Sequence, residues 1–504
     1  MTIENSPENI KNSRSFYIAS AAIVLLFISL AVWSALTTRP ESDEGAFASP
    51  AVNLVQNGHF GTTVFEMEKS SLTRIDERTY WVMPLFLLNT AASFKIFGYS
   101  LFSQRAVSIF WGVVLLLAWY YIIFKFSEKR FYAAVCMALA GCSYVVLNTA
   151  TIGRGDAMCA SLGFASFAVY LALRERNLLL AVLLSQTLVV AAGLTHFLGI
   201  LGFLGLLFLT FYYDFRSLGL KHLAVGAIPY LIGGAAFGLW VLQDPVAFKD
   251  QFYDNAVASG RMQGFSSPLD VILKEFTLRY PRAFGLMENT AGHSGPIYLK
   301  SLMLVGYALG VFGVLLNREL RKKFRVLLVL TFIYFFTLAF LDGQKLSVYL
   351  IYIVPFYLAL LGIWFCALWE KGFLPRPLLA LGLSGFLLLG IGGIALRCRQ
   401  NVYAKYFQPT VEYLNQNAAE SDLIIGGAEL RFGLKRFDNH ISDGAFGYFT
   451  GKRPTYIVYD PGVEDSWKDA KVFFPEFYEY LPKLLSQEYE VVYENTVYKI
   501  YKRR

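Results

Sequence analysis

The sequence has few charged residues. Asp, Glu, Lys and Arg together make up 16% of its 504 residues, whereas a soluble domain usually carries about a quarter. Hydrophobic residues reach 56%, and the mean hydropathy is +0.46. A chain of this length cannot cover a water-facing surface with so few polar side chains. The composition therefore predicts a protein whose solvent is largely lipid.

Cysteine is also scarce, and its spacing gives neither a disulfide framework nor a paired set of metal ligands. The five cysteines lie within or beside apolar runs and are interpreted as small buried hydrophobic residues: Cys136, Cys142, Cys159, Cys366 and Cys398. Lys and Arg outnumber Asp and Glu by 45 to 37. In a membrane protein the usual cause of such an excess is basic cytoplasmic loops, so nucleic acid is not predicted as a partner.

Long apolar runs dominate the chain. Each is close to the ~20 residues that a helix needs to cross about 30 Å of hydrocarbon. They predict about eleven membrane-spanning helices, at residues 16–36, 102–124, 131–150, 157–173, 178–194, 197–213, 223–243, 298–316, 326–341, 346–369 and 378–396. We expect an all-α polytopic membrane domain at residues 16–396, preceded by a cytoplasmic tail of residues 1–15.

Basic residues concentrate in alternate loops. With the N-terminus in the cytoplasm, the basic inside loops are residues 125–130, 174–177, 214–222, 317–325 and 370–377. This alternation follows the positive-inside rule. It places residues 37–101, residues 244–297 and the segment from residue 397 onward on the outer side. Three basic residues within 397–405 conflict with the rule, because they follow the last helix on that outer side.

The C-terminal segment changes character. Helical patterns cover residues 410–419 and 477–488, whereas residues 422–427, residues 456–459 and two runs around Asn495 are rich in strand-forming residues. We therefore expect a small soluble α/β domain at residues 397–504, held outside the membrane.

Two adjacent acids, Asp43 and Glu44, lie where the first spanning helix leaves the membrane, before an amphipathic segment at residues 46–57. Paired acids at such a place suit glycosyl transfer, because one carboxylate can take the proton of an acceptor hydroxyl while a sugar phosphate departs. A cation near that phosphate would help more than a general acid, since the phosphodiester already leaves as a stabilised anion. The alternative is that both acids only cap the following helix.

The sequence around these acids resembles a known family. The runs DEGAFASPAVNLVQNGHFGTT (43–63) and YWVMPLFLLNTAASFKIFGYSLFSQRAVS (80–108) are similar to the start of the C-type (GT-C) glycosyltransferases, which use lipid-phosphate sugars. These include protein O-mannosyltransferases and lipid A aminoarabinose transferases. Pro84 matches one proline of the family's pair, but Trp81 and Val82 stand where the family often has a Lys or His.

Two later motifs extend the resemblance to about residues 1–400. GRGDAM (153–158) resembles an Arg-Pro-Asp-like motif of the family, and KLSVYLIYIVP (345–355) resembles a run that opens a late helix in the aminoarabinose branch. The resemblance implies a GT-C membrane domain and an inverting transfer. It also implies Asp43 as the base, with Glu44 supporting it or orienting the sugar.

The charge rule places the charged residues of four loops on one membrane face: Asp43, Glu44, Arg154, Asp156, His196 and Lys345. Charged groups at the membrane boundary are costly unless they are paired or face water, so this convergence predicts a site. Arg154 and Lys345, with Tyr349 of the same motif, are the candidates for binding the donor phosphate. Two structural alternatives remain: Lys345 as an interfacial lysine, and an Arg154–Asp156 ion pair that holds a turn.

Four residues are further candidates for the substrate pocket: Asp156, His196, Glu66 and Glu68. The acids among them leave a divalent metal open as an alternative. No local spacing specifies a metal site, so no metal and no other cofactor is predicted to be required.

The predicted function is a membrane glycosyltransferase that moves a monosaccharide from a polyprenyl-phosphate donor to a lipid, glycan or protein acceptor. The predicted place is a bacterial inner membrane, with the site and the C-terminal domain facing the periplasm; the absence of any Asn-x-Ser/Thr sequence agrees with this. One alternative is a multi-helix transporter, although transporters tend to show repeated halves and broken mid-membrane helices. The other is a lipid-linked oligosaccharide polymerase or ligase.

Overall fold

The computed structural model describes residues 7–68, 72–287, 298–436, 438–460, 467, 471 and 475–504. Residues 1–6 of the expected tail and residues 288–297 of the expected outer segment lie outside the described residues. The first helix begins at Pro7, so the remainder of the tail is helical and continuous with the first apolar run.

Helices form nearly all of the membrane domain. In chain order the α-helices are α1 (Pro7–Thr37), α2 (Ser42–Asn57), α3 (Pro84–Phe97), α4 (Leu101–Ser127), α5 (Arg130–Gly141), α6 (Tyr144–Ala150), α7 (Asp156–Leu173), α8 (Leu178–Thr195), α9 (Ile200–Asp214), α10 (Leu220–Val241), α11 (Pro245–Phe248), α12 (Asn255–Ala258), α13 (Gln263–Ser266), α14 (Pro268–Lys274), α15 (Tyr280–Ala283), α16 (Ser301–Leu316), α17 (Arg318–Lys323), α18 (Arg325–Leu341), α19 (Val354–Lys371) and α20 (Arg376–Gln400). Helices α21 (Gln408–Asn417) and α22 (Pro475–Glu488) follow in the C-terminal domain.

Within the described residues, nine helices are long and apolar enough to cross a membrane, and α5 with α6 would make a tenth. The spanning segment predicted at 131–150 consists of two helices, α5 and α6, with a bend of 62° between them. Helix α20 approaches this break closely: a Cβ on Gly390 would lie 2.0 Å from the carbonyl oxygen of Cys142. Helix α18 is apolar but shorter, with 17 residues. The chain is thus a multi-pass membrane protein, as predicted.

The bundle has a buried centre and a lipid-facing periphery. In the apolar stretch of α7, 72% of the residues are buried inside the protein, whereas only 11% are buried in that of α10. Helix α7 packs against α4, α8 and α9, and aromatic rings fill the space beside it. Trp119 contacts Phe164 and Phe356 edge-on, with ring centroids 5.1 and 4.9 Å apart. Large interlocking side chains of this kind hold the neighbouring helices at fixed positions.

The C-terminal domain contains a five-stranded sheet, which confirms the predicted α/β class. Its strands are β1 (Ile424–Ile425), β2 (His440–Ile441), β3 (Tyr456–Tyr459), β4 (Tyr489–Glu494) and β5 (Lys499–Arg503). Their order is β2-β1-β3-β5-β4, with β1 parallel to β2 and β3, and β5 antiparallel to β3 and β4. Helix α22 packs against β4.

This domain is docked on α2 and the segment that follows it. The 3₁₀ helix Ala428–Phe432 packs against α2 so closely that a Cβ on Gly45 would lie 2.2 Å from the Ala428 carbonyl. Arg431 donates a hydrogen bond to the carbonyl of Thr63 (2.9 Å), and Arg39 pairs with Asp460 (2.9 Å). The contact places the domain at the end of the bundle where α2 begins.

Candidate active site

Asp43 and Glu44 occupy the first turn of α2, where negative charge is favourable because the backbone N–H groups of a helix N-terminus point outward. The Glu44 carboxylate accepts a hydrogen bond from the backbone N–H of Glu41 (2.9 Å). Part of the alternative interpretation therefore holds for Glu44, which helps to cap its own helix.

Glu44 is completely buried in an ion pair with Arg105. The Arg105 Nε and Nη2 atoms donate to the two Glu44 carboxylate oxygens at 2.8 and 2.7 Å. The backbone N–H of Gly153 donates to the same carboxylate at 2.7 Å. Arg105 also donates to the carbonyls of Ala35 and Thr38, at the end of α1. These bonds occupy both Glu44 oxygens, so Glu44 links α2, α4 and the loop before α7.

The side chain of Gln104, next to Arg105 in α4, fixes the loop that carries Arg154. Gln104 donates to the carbonyls of Glu44 (3.0 Å) and Gly153 (2.7 Å). A Cβ on Gly153 would lie 2.6 Å from the Gln104 side chain, which explains a glycine at this position of the GRGD motif. Held in this way, the next residue, Arg154, projects from a rigid support.

Arg154 joins two carboxylates. Its Nη1 atom pairs with Asp43, and its Nε atom donates to Asp156 at 2.9 Å. The guanidinium also lies 5.6 Å from the centre of the Phe47 ring. Although burial opposes its charge, Asp156 and Asp43 raise the pKa of Arg154 above its ordinary value. Arg154 is buried, whereas 53% of the Asp43 side chain is exposed. Asp43 is thus the accessible carboxylate of the pair at 43–44.

Asp156 retains one free oxygen. Its Oδ1 atom is buried and has no hydrogen-bond partner among the described residues; the nearest ring nitrogen, His196 Nε2, is 3.9 Å away. Burial lowers the pKa of His196 to about 4, and Arg261 and Arg154 add to this against the opposing charge of Asp156. His196 is therefore neutral at neutral pH. Its Nδ1 accepts from the Leu198 N–H, which leaves the proton on Nε2, 3.4 Å from the Tyr349 hydroxyl.

These groups border a cleft that opens to solvent, referred to below as the cavity. Its polar wall is formed by Arg154, Asp156, His196 and Arg261. Its apolar wall includes Phe47, Trp81, Val82, Met83, Phe86, Phe197 and Phe252. A mostly apolar cleft with a few convergent polar groups is the usual form of a small-molecule site. Asp43 does not line the cavity itself, but its carboxylate is bonded to Arg154, which does.

Arg261 is a cavity residue that the sequence reasoning missed. It lies between α12 and α13, in the segment 244–297, for which the sequence predicts only a position on the outer side. The adjoining Gly260 has a φ of +73°, so a turn-forming glycine beside a basic residue was the available signal. No nearby acid or motif distinguished Arg261 from the other basic residues of the loop.

Lys345 and Tyr349, the other candidates for binding the donor phosphate, do not line the cavity. Lys345 is fully buried, and its Nζ donates to Glu275 (2.8 Å) and to the carbonyl of Ala339 (2.6 Å). Binding a phosphate would require the Lys345 Nζ to leave both partners. Tyr349 is buried against His196 and likewise does not line the cavity.

Glu66 and Glu68 also lie away from the cavity. Both carboxylates pair with Lys452 of the C-terminal domain, at 2.8 and 3.2 Å. They connect the segment after α2 to that domain and do not line the cavity. Over the part of the chain that the structure describes, no group of three or more His, Cys, Asp or Glu side chains is arranged to hold a metal ion.

The whole chain is similar in structure to two solved membrane proteins. ArnT from Cupriavidus metallidurans, bound to undecaprenyl phosphate, matches with a TM-score of 0.58 and 15% identity, over 95% of this chain and 97% of that one. The archaeal oligosaccharyltransferase AglB from Archaeoglobus fulgidus, in complex with an inhibitory peptide and a dolichol-phosphate, matches with a TM-score of 0.53 and 12% identity, over 98% and 74%. No family model and no curated protein matches the sequence.

The likeness to both structures establishes the fold. The protein has the predicted GT-C architecture: a polytopic helical domain, as the motifs at 43–63 and 153–158 implied, followed by the small α/β domain that the local patterns at 397–504 predicted. The nearly complete coverage of ArnT includes the C-terminal domain as well as the membrane domain.

Proposed function

We propose that this protein is an inverting membrane glycosyltransferase whose donor is a monosaccharide linked to a polyprenyl phosphate. The observation that carries the proposal is the pairing of a half-exposed carboxylate, Asp43, with Arg154 at the edge of a cavity that also contains Arg261. An acid and two cations in this arrangement match the needs of sugar transfer from a phosphate. The GT-C fold, shared with a protein solved with undecaprenyl phosphate, supports the same donor class.

Arg154 and Arg261 are assigned to the donor phosphate. Both guanidinium groups border the same cavity, and a planar guanidinium can donate two parallel hydrogen bonds to phosphate oxygens. When the bond between the anomeric carbon and the phosphate oxygen breaks, both electrons go to the phosphate. Fixed positive charge beside that oxygen stabilises the departing anion.

Asp43 is assigned as the general base. Its carboxylate is accessible from solvent and is held by Arg154, the residue that also borders the phosphate site. As the acceptor oxygen bonds to the anomeric carbon, its proton passes to Asp43. Attack from the face opposite the departing phosphate inverts the anomeric centre. Glu44 has no part in this step, because its oxygens are already bonded to Arg105 and Gly153.

The remaining cavity groups suit a sugar ring. The unpartnered Oδ1 of Asp156 can accept a hydrogen bond from a sugar hydroxyl or amino group, which would satisfy an otherwise orphaned buried oxygen. Trp81, stacked on Phe47 with ring centroids 5.3 Å apart, provides an apolar wall. We place the site and the C-terminal domain on the periplasmic side of a bacterial inner membrane, on the basis of the basic loops at the other end of the helices.

The test is release of the free lipid carrier, polyprenyl phosphate or polyprenyl diphosphate according to the donor, by the purified full-length protein in proteoliposomes that contain a membrane extract as acceptor. Undecaprenyl phosphate is offered with different single sugars, and matched lipids carry a diphosphate sugar or an oligosaccharide. We expect release only from the monophosphate monosaccharides. Release from the oligosaccharide lipids would instead favour a polymerase or ligase. Absence of release from every donor, with transport of lipid or solute into the vesicles, would establish the transporter alternative.

A further inference from the structure

A buried network of four charged residues lies outside the cavity, at the loop that contacts Arg261. Arg279 Nη2 pairs with Asp342 at 2.6 Å and with Glu275 at 3.2 Å, and Glu275 pairs with Lys345 at 2.8 Å. All four side chains are at most 2% exposed. Two positive and two negative charges therefore balance in the interior. Removal of any one partner would leave an uncompensated buried charge.

The network fixes both ends of the DGQK loop, which we define as residues 342–345. Asp342 and Lys345 are the first and last residues of the loop, and both are bound through Arg279 and Glu275 to the helical segment between α14 and α15. Asp342 also accepts the backbone N–H of Leu346 at 3.0 Å. Lys345 has a φ of +59°, which is uncommon for a residue with a side chain and is kept only where the surroundings fix the backbone.

The middle of the DGQK loop is bonded to the turn that carries Arg261. Gly343 donates its N–H to the Arg261 carbonyl at 3.3 Å. A Cβ on Gly343 would lie 2.1 Å from the Gly260 carbonyl oxygen, so only glycine permits this approach. Gln344 Nε2 donates to the carbonyl of Ser259 at 2.9 Å. The loop thus supports residues 259–261 at three consecutive positions.

Gln344 also contacts the Arg261 side chain directly. Arg261 Nε donates to Gln344 Oε1 at 3.3 Å, and this is the one side-chain hydrogen bond that Arg261 makes among the described residues. The two Nη atoms stay available at a position that lines the cavity. A guanidinium held through Nε presents its two Nη groups in a fixed orientation, which is the geometry that bidentate phosphate binding requires.

We propose that the DGQK loop is a positioning device for the donor phosphate, in which Gln344 orients Arg261 and the Asp342 and Lys345 ion pairs hold the loop in place. The inference rests on the proposed function for the identity of the ligand, but the support of residues 259–261 by the loop does not. Lys345, which the sequence placed on the phosphate, contributes to the site through the backbone it anchors.

The direct test is a double-mutant cycle with Arg261→Ala, Gln344→Ala and the double variant, in the full-length protein, with undecaprenyl phosphate as the probe. If Gln344 acts through Arg261, Gln344→Ala raises the Kd about fivefold or more in the wild-type background and less than about twofold in the Arg261→Ala background. The donor KM should rise with the Kd while kcat changes little, since Gln344 does not touch the reacting atoms. Equal effects in both backgrounds would overturn the proposal.

The matched control is Gln243→Ala. Gln243 Oε1 accepts from Arg78 Nε at 3.3 Å, the same contact at the same length, and neither residue lines the cavity. We expect this variant to bind undecaprenyl phosphate like the wild type. A rise in Kd equal to that of Gln344→Ala would show a general effect of losing a Gln–Arg contact and would overturn the assignment to Gln344.

A readout without ligand separates the two proposals. Backbone amide exchange of residues 255–266 should accelerate in Gln344→Ala, because the Ser259 contact and the support of Arg261 are lost, while residues 428–432 exchange as in the wild type. Unchanged exchange at 255–266 would refute the positioning role whether or not the wild type binds the lipid. If the wild type fails to bind undecaprenyl phosphate, the proposed function fails, and exchange alone decides the role of the DGQK loop.

Discussion

The surroundings of Glu44 and of Asp43 differ sharply, although the two residues are adjacent at the start of α2. Around Glu44, Arg105 and the Gly153 N–H occupy both carboxylate oxygens, and the pair is at most 1% exposed. Around Asp43, an arginine is shared with Asp156, and about half of the Asp43 side chain is exposed. The nearby buried Oδ1 of Asp156 has no partner within the part of the chain that the structure describes. The first group is complete and holds three elements together. The second is incomplete at the edge of a cavity, which is what a substrate site requires.

The largest effect on stability should follow from removing one partner of the buried Glu44–Arg105 ion pair. Glu44→Ala leaves the Arg105 guanidinium buried without its carboxylate, and we expect the free energy of unfolding to fall by about 3–5 kcal/mol. Thermal unfolding in detergent measures this. In the Arg105→Met background the same change should cost much less, because the unpaired charge is absent. A stable, inactive Glu44→Ala protein would instead indicate a chemical role for Glu44.

Arg154→Lys tests the incomplete group. A lysine keeps the charge but cannot bridge two carboxylates and donate a fork of hydrogen bonds to phosphate. We expect the Kd for undecaprenyl phosphate to rise about tenfold to a hundredfold, the range for losing a hydrogen bond to a charged group. Equilibrium binding of the lipid gives the value. Arg78→Lys, which changes an arginine away from the cavity, should leave the Kd unaltered; an equal loss there would contradict the assignment.

His196, beside the Asp43 group, should make the stability of the folded protein depend on pH. Its ring is neutral in the folded protein above about pH 4, because burial and the nearby arginines lower its pKa, but it takes a proton below about pH 6.5 in the unfolded chain. Stability is therefore lost as the pH falls from 6.5 towards 4. From pH 7 to 5 this contribution amounts to about 2 kcal/mol.

The variant His196→Gln should remove that contribution, so its melting temperature should fall less between pH 7 and pH 5 than that of the wild type. The control is His59→Gln, because His59 lies outside the cavity and its Nε2 is hydrogen-bonded to Asn53 Nδ2 at 2.8 Å. Its melting temperature should fall between pH 7 and pH 5 as much as that of the wild type. The same acid sensitivity in His196→Gln and in the wild type would show that His196 titrates normally in the folded protein.

The smallest effect is expected where the C-terminal domain meets the segment after α2. Lys452→Ala removes the pairs with Glu66 and Glu68, both of which are partly exposed. Exposed ion pairs contribute about 0–1 kcal/mol, and other contacts such as the Arg431–Thr63 bond remain. We expect a small fall in melting temperature and unchanged turnover. A large loss of turnover at full stability would return Glu66 or Glu68 to the substrate site.

Much of the fold could be predicted from the sequence, because membrane spans depend on the length of apolar runs and strands on local residue preferences. The strand at Tyr456–Tyr459 lies where its pattern predicted. The bend between α5 and α6, which α20 approaches closely at Gly390, was not predicted from the apolar run at 131–150. The length of an apolar run predicts a membrane span but not a break in its helix, and the contact with α20 joins residues that are distant in the chain.

The candidate site was predictable only in part, for the same reason. Motif positions and loop topology placed Asp43, Arg154, Asp156 and His196 on one face, and the structure brings all four together. Whether a charged side chain is free or already paired depends on distant residues. Glu275 lies 70 residues from Lys345, and no local spacing links them. Glu44 and Lys345 are buried in ion pairs with such distant partners and do not line the cavity. Arg261 lines the cavity because of similar contacts between distant parts of the chain.

The central claim is that Asp43, and not its neighbour, performs the proton transfer. The most direct measurement is kcat at saturating donor for Asp43→Asn, in a preparation whose melting temperature matches the wild type. Because the carboxamide keeps the size of the side chain but cannot take a proton, kcat should fall about 10²–10⁴-fold, the usual contribution of a general base. A fall of less than about tenfold, far below that range, would show that the base lies elsewhere and would contradict the account.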